Sequence, residues 1–294
     1  MTKLNFDITS NEFNPGYAIE LEDRDYLDKT SVQAVTYSFA NLPERVDPRQ
    51  TDLYKKNWLQ VEDQGQIGSC QGQSLTECGE FCYGIETGRV IQLSRMYAYI
   101  RSQMFDNIRT DSGSTLSGGT KCAIEGICLE EIAKYTSRYP GWNWLTQSMR
   151  DAAKDYILKS HTTIKSEEEV KSFIGSGLGI VQIGISWGRE MTPDSNGCIK
   201  SFSGSGGGGH AVVFCGYVPD SDIGCRSSKG YHYLLKNSWS SRWGKGGFAY
   251  VDPSAVASML RHRWTVMIGR SDMGNPTPRP VHVDFTKKGN SING

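Results

Sequence analysis

Residues 64–74 read QGQIGSCQGQS, a cysteine set in a run of Gln, Gly and Ser just ahead of a helical pattern. A cysteine used for packing has apolar neighbours at helix or strand spacing, because a free thiol behaves as a small hydrophobe. Cys70 has Gln64, Gly65, Gly68, Ser69, Gln71 and Gly72 around it instead, so its sulfur reads as presented rather than buried. Downstream, Leu75, Cys78, Cys82 and Ile85 recur at helical spacing and Gly88 supplies the stop, which places Cys70 in a first turn. Unpaired backbone N–H groups and the macrodipole favour negative charge there. The small residues before the thiol would let a substrate backbone approach closely.

A thiolate nucleophile needs a base for its proton and a group that orients the base. Five histidines are available, His161, His210, His232, His262 and His282. His210 stands in GSGGGGHAVVFCGY (204–217), where a glycine run leads into an apolar strand that would hold the imidazole rigidly with one face accessible. A later strand ends in KNSW (236–239), so Asn237 is placed to fix the ring and Trp239 to shield that bond from water. The other four histidines have no such context and read as structural. GSGGGG formally satisfies the dinucleotide-binding pattern, but it opens a strand and not a helix, which excludes that reading.

The totals narrow the classes further. Apolar residues make up 37% of 294, with 7 Trp, 14 Tyr and 10 Phe, enough for a sizeable core and too many for a collagenous or disordered chain. Lys and Arg together number 32 and Asp and Glu 32, so net charge provides no case for nucleic acid or an anionic membrane as partner. No apolar run approaches the roughly 18 residues of a spanning helix. The start, MTKLNFDITSNEFNPGY, lacks the apolar core of a signal peptide, so the cytoplasm is the expected compartment. The eight cysteines are therefore expected to be mostly reduced core residues, not a disulfide framework. None shows zinc-finger spacing, and no metal or organic cofactor is expected. Glu167, Glu168 and Glu169 read as the solvated first turn of a helix after Ser166.

Helical patterns dominate the first half: after the Cys70 helix, a second opens at Ser94, a third covers about 119–135 with a break near Gly126, and DAAKDYILK (151–159) makes another. Beyond about residue 178, GIVQIGISW, AVVFCGYV, YHYLLKN, GFAYVD and HRWTVMIG carry strand signals. Helices followed by strands imply an α+β fold of two packed lobes with a cleft between them.

Four segments in this order resemble the papain-like cysteine peptidases. LPERVDPRQ (42–50) is similar to the family's mature-domain start, VEDQGQIGSCQGQS (61–74) to its nucleophile segment, GGHAVVFCGY (208–217) to its histidine strand and NSWSSRWGKGGFAYV (237–251) to its asparagine segment. The spacings agree, with 140 residues from Cys70 to His210 and 27 from His210 to Asn237. The resemblance covers about 42–269 and implies a papain-like two-lobe fold. A helical lobe lies mainly at 65–165 and an antiparallel, barrel-like β lobe mainly at 170–269, leaving 1–41 as an N-terminal extension and 270–294 as a C-terminal tail. It also implies Cys70 as nucleophile, His210 as its proton partner in a thiolate–imidazolium pair and Asn237 as the orienting group. Gln64 would serve as oxyanion donor beside the Cys70 N–H, acting on a peptide or protein substrate.

Three positions depart from the family pattern: Ile67 stands where a cysteine usually forms a disulfide, Gln71 replaces an aromatic residue, and Ser240 replaces a glycine. The first 41 residues are shorter than the family's usual inhibitory propeptide, while Ile67, Gln71 and the segment DSGSTLSGGTKCAIEGICLEEIAKY (111–135) resemble bacterial or bacteriophage-encoded members. The rival expectation is a structural or interaction protein that keeps the fold, docked through its arm or tail in a virion or other assembly.

Overall fold

The computed structural model describes residues 16–32, 42–177, 179–205 and 207–271. Helix α1 (Arg24–Thr30) belongs to the N-terminal arm and is capped by Asp23, which accepts the Tyr26 N–H. Helix α2 (Cys70–Thr87) begins at the thiol and ends where Gly88 turns left-handed at φ 68°. Helix α3 (Arg95–Asp106) opens with Ser94 Oγ accepting the Tyr97 N–H, and α4 (Leu116–Glu125) with Thr115 accepting the Gly118 N–H. Helix α5 (Gln147–Ala153) completes the helical lobe. Gly72 lets α2 and α3 touch, since a Cβ there would overlap the Arg95 carbonyl and the Tyr99 N–H. The third predicted helix is shorter than expected. Gly126, at φ 110°, ends it, and the chain beyond turns so that Leu129 bridges to Leu93.

The second lobe is a seven-stranded sheet with β1 (Ser160–Thr163), β2 (Gly179–Ser186), β3 (Cys198–Ile199), β4 (Gly209–Pro219), β5 (Tyr231–Lys236), β6 (Phe248–Val251) and β7 (Val266–Ser271). Helix α6 (Glu167–Gly175) follows β1 and α7 (Pro253–Arg261) follows β6. The spatial order is β1-β7-β2-β4-β5-β6-β3, antiparallel except for the short parallel pairing of β3 with β6. The five strands read from sequence are present. β1 (SHTT) and β3 (CI) carried no apolar alternation to reveal them. Through β1 and the end of β7 the sheet extends past the expected limits of 170 and 269; the rest of the expected tail, 272–294, lies outside the described residues.

The expectation of mostly reduced core cysteines is borne out, and one other expectation is corrected. Cys198 and Cys225 are joined as a disulfide with Cα atoms 6.4 Å apart, while the other six cysteines are free and buried. Glu167 is not a solvated cap residue: it is buried, accepts hydrogen bonds from the Tyr231 and Tyr233 hydroxyls and pairs with Lys229. Its neighbour Glu168 stays exposed.

Helix α2 runs along the junction, packed on β2, β4 and β7. There Glu77 of α2 and Lys236 of β5 form a fully buried ion pair one residue before Asn237. Replacing Lys236 with Met should cost about 3–5 kcal/mol, because Glu77 would be left without its counter-charge in an apolar site. The double change Glu77→Leu/Lys236→Met should recover most of that loss, read as urea unfolding midpoints.

Candidate active site

Cys70 occupies the first position of α2, and no side chain caps the turn, so its N–H groups remain free for the sulfur. On β4, the residue after His210 reaches this thiol: the Ala211 N–H donates to Cys70 Sγ at 3.3 Å. The strand bearing His210 therefore lies directly against the helix bearing Cys70. His210 Nε2 meets Asn237 Oδ1 at 2.8 Å. With Nε2–H donating to the amide oxygen, Nδ1 becomes the ring's acceptor, and it has no hydrogen-bond partner of its own. Trp239 stacks on the imidazole at 4.4 Å between ring centroids, and Trp187 meets it edge-on at 4.7 Å. Trp187 was missed in the sequence, where its only signal was a tryptophan at the end of an apolar strand.

Gln64 is also buried at this junction. Its Nε2 donates to the Ile67 carbonyl at 3.0 Å, its Oε1 accepts from Ser238 Oγ at 2.7 Å, and its N–H donates to the Ser238 carbonyl at 2.9 Å. The carboxamide thus ties the loop before Cys70 to the segment after Asn237. All four residues selected from sequence stand where the nucleophile loop, β4 and the end of β5 converge.

The thiol itself is fully buried, not presented, because the N-terminal arm lies over it. The Tyr17 N–H donates to the Gly209 carbonyl at 2.9 Å, the Ala18 N–H to the Ser114 carbonyl at 3.0 Å, and the Ser114 N–H to the Gly16 carbonyl at 3.1 Å. The arm is therefore paired with both lobes at once. The Tyr17 ring packs with Cys70, Leu116, Ala211, Val266 and Ile268, over Gly184, where a Cβ would overlap it. Further along, the Glu22 carboxylate accepts the Leu116 and Ser117 N–H groups at the start of α4, at 2.8 Å each. Arg24 donates to the Thr265 and Arg263 carbonyls, and His161 Nε2 meets the Leu27 carbonyl at 3.0 Å.

Covering the site changes its electrostatics. Burial raises the Cys70 thiol to about 12, opposed by backbone N–H groups of Ala211, Gly16 and Gln71. Burial also lowers His210 to about 4, against the bond to Asn237. Both groups are then neutral at physiological pH, and the expected thiolate–imidazolium pair is not formed beneath the arm. Desolvation is the cause, since it disfavours each charged form separately.

His161, which holds α1, is likewise lowered to about 4 by burial and by the nearby Arg270. Depressed histidines cost stability as pH falls below about 6.5, by up to about 1.4 kcal/mol per pH unit and group, because the uncovered state binds the proton more readily. Asp106 acts in the opposite sense, since burial raises it to about 6, but Glu22 is only a secondary cause of that shift. The histidines should win. Iodoacetamide should label Cys70 of the full chain faster at pH 5 than at pH 7, the reverse of an ordinary thiol, as followed by mass spectrometry of the Cys70 peptide. Glu22→Ala, which removes a charged cap bond of about 1–2 kcal/mol, should raise the pH 7 labelling rate roughly tenfold.

Residues 42–262 match the family described as papain family cysteine protease. An uncharacterized peptidase C1-like protein of Acanthamoeba polyphaga mimivirus is 26% identical over 312 residues, covering 95% of this chain and 96% of that protein. The probable cysteine protease RDL3 of Arabidopsis thaliana is 24% identical over 249 residues, 82% of this chain and 61% of its own length. Falcipain-3 of Plasmodium falciparum is 24% identical over 201 residues, 65% of this chain and 38% of its own, so the chain spans less than two thirds of either of these two relatives. Xylellain, a cysteine protease from Xylella fastidiosa, shares the fold with a TM-score of 0.64 at 20% identity, over 88% of this chain and 95% of that one. With a matched region that contains the thiol, the histidine strand and the asparagine segment, this chain belongs to the papain family of cysteine proteases.

Proposed function

We propose that the chain is a thiol-dependent peptidase that cleaves amide bonds through a Cys70–His210–Asn237 triad and an acyl-enzyme intermediate. The observation that carries this reading is the His210–Asn237 hydrogen bond next to the contact of Ala211 with the Cys70 sulfur. Asn237 holds Nε2 of His210 at 2.8 Å, which leaves Nδ1 for the thiol proton, and the next residue on β4 already touches the sulfur. Family membership supports it.

Once the arm leaves and water returns, the thiol proton passes to His210 Nδ1. The thiolate then attacks the substrate carbonyl, forming the C–S bond. The oxyanion is held by the Cys70 N–H and by Gln64 Nε2, a donor of this kind being worth about 3 kcal/mol. His210 returns the proton to the leaving amine, and water hydrolyses the thioester. Trp239 and Trp187 keep solvent from the His210–Asn237 bond. No step calls on a metal or organic cofactor.

The arm supports a reading of the substrate as well. A peptide or protein chain would lie extended through the same groove, paired with Ser114 and Gly209, with a large apolar or aromatic residue in the pocket that Tyr17 fills. Over the thiol the arm presents the Gly16 backbone N–H to the sulfur. A bacterial or bacteriophage source remains part of this reading, resting on Ile67 and Gln71. The interaction-protein alternative predicts that an uncovered Cys70 is no more reactive than any other thiol.

Fluorogenic peptides assayed with the Glu22→Ala chain test the proposal. Cys70→Ala should lower turnover by up to about 10⁶-fold, to background. Asn237→Ala should lower it on the order of 10²-fold, through a misplaced imidazole. Gly184→Val should discriminate against Tyr and Phe substrates more than against Ala. Full activity in Cys70→Ala would overturn the assignment.

A further inference from the structure

The disulfide partners have a third neighbour. Cys198 on β3, Cys225 in the loop between β4 and β5, and His232 on β5 are all buried, and the two sulfurs and one ring nitrogen lie within 4.8 Å of one another. His232 Nδ1 is taken by Asp220 Oδ1 at 2.8 Å, and Asp220 is itself held by the Ser227 N–H at 2.6 Å and by its hydroxyl at 3.2 Å. With Nδ1–H donating to the carboxylate, the ring's lone pair sits on Nε2, which is buried without a partner. A disulfide has no proton to offer that nitrogen, and an unsatisfied buried acceptor is costly.

We propose that the reduced pair and His232 bind a zinc ion. Two thiolates and one imidazole are the donor set of a borderline-soft cation and a poor one for magnesium or calcium. Asp220 acts as the outer carboxylate that fixes the tautomer and aims Nε2. Opening the disulfide takes two electrons and two protons, with a phosphine or thiol reductant as the electron source. Binding then releases two thiol protons to solvent as two Zn–S bonds and one Zn–N bond form, leaving the fourth tetrahedral position to water. The ion would hold the loop of residues 220–230 against the β3 edge of the sheet, where Asn196 already donates to the Gly224 carbonyl at 2.9 Å. This site is independent of the proposed peptidase chemistry.

The test uses the full chain as Cys70→Ser, reduced with a phosphine and freed of reductant, so that the proposed nucleophile cannot compete. One equivalent of zinc should be retained. Cobalt in its place should give thiolate charge-transfer absorption and the visible bands of a tetrahedral ion. Cys225→Ser and His232→Gln should each weaken binding at least about tenfold, and Asp220→Asn about ten- to a hundredfold. Circular dichroism checks folding; should His232→Gln misfold, Cys225→Ser, at a loop position, supplies the answer. No stoichiometric metal in the folded reduced chain, or unchanged binding in the variants that fold, would leave a disulfide alone and overturn the proposal.

Discussion

Contact between the first turn of α2 and the start of β4 is the constraint on which the rest depends. It brings a thiol and an imidazole from opposite lobes into one enclosed space, where whichever surface lies above them sets their charge. Under water and a neighbouring cation the helix terminus would favour a thiolate. Under Tyr17 the same sulfur is desolvated and holds its proton. On the proposed reading, one geometry supports two electrostatic states and the arm selects between them.

Several buried polar contacts tie the lobes together at the junction, although His210 Nδ1, Asn237 Nδ2 and Gln71 Nε2 stand without hydrogen-bond partners. Glu77 and Lys236 neutralise each other between α2 and β5. Gln182 donates to Ser74 Oγ on α2 and accepts from Arg270 on β7, crossing the lobes a second time. Gln64 links the loop before Cys70 to Ser238. A buried network of this kind resists relative movement of the lobes, because shifting one lobe would leave several polar groups unpaired in a low-dielectric interior. The aromatic pair Trp187 and Trp239 adds a wall around His210 from two different loops.

The arm is attached differently. Besides the buried Tyr17 ring and Leu27, it is held by main-chain hydrogen bonds, by the Glu22 cap, by Arg24 and by the His161 ring at the Leu27 carbonyl. Local opening of such a terminal segment costs less free energy than opening the core. Ser240 shows a related economy on the other side of the site: it takes the left-handed conformation, φ 60°, in which a glycine would be unstrained.

Local chemistry was legible in the sequence. The helix that starts at Cys70 and stops at Gly88, the cap at Ser94, five of the seven described strands and the Cys–His–Asn spacing all depend on residues adjacent in the chain or on motifs a few residues long. Contacts formed only by folding were not. Nothing in NPGYAIELE (14–22) reveals that Tyr17 enters the groove, because the pocket is assembled from α4, β2, β4 and β7. The acidic run gave no sign that Glu167 would be buried, since its partners, Tyr231 and Tyr233, lie more than sixty residues away. Likewise Cys198, Cys225 and His232 have no spacing that marks them as a cluster. The sequence by itself determined which side chains could do chemistry and on which elements they ride. Only the tertiary structure decided which of them are sheltered from water, and burial sets whether a sulfur or an imidazole carries charge.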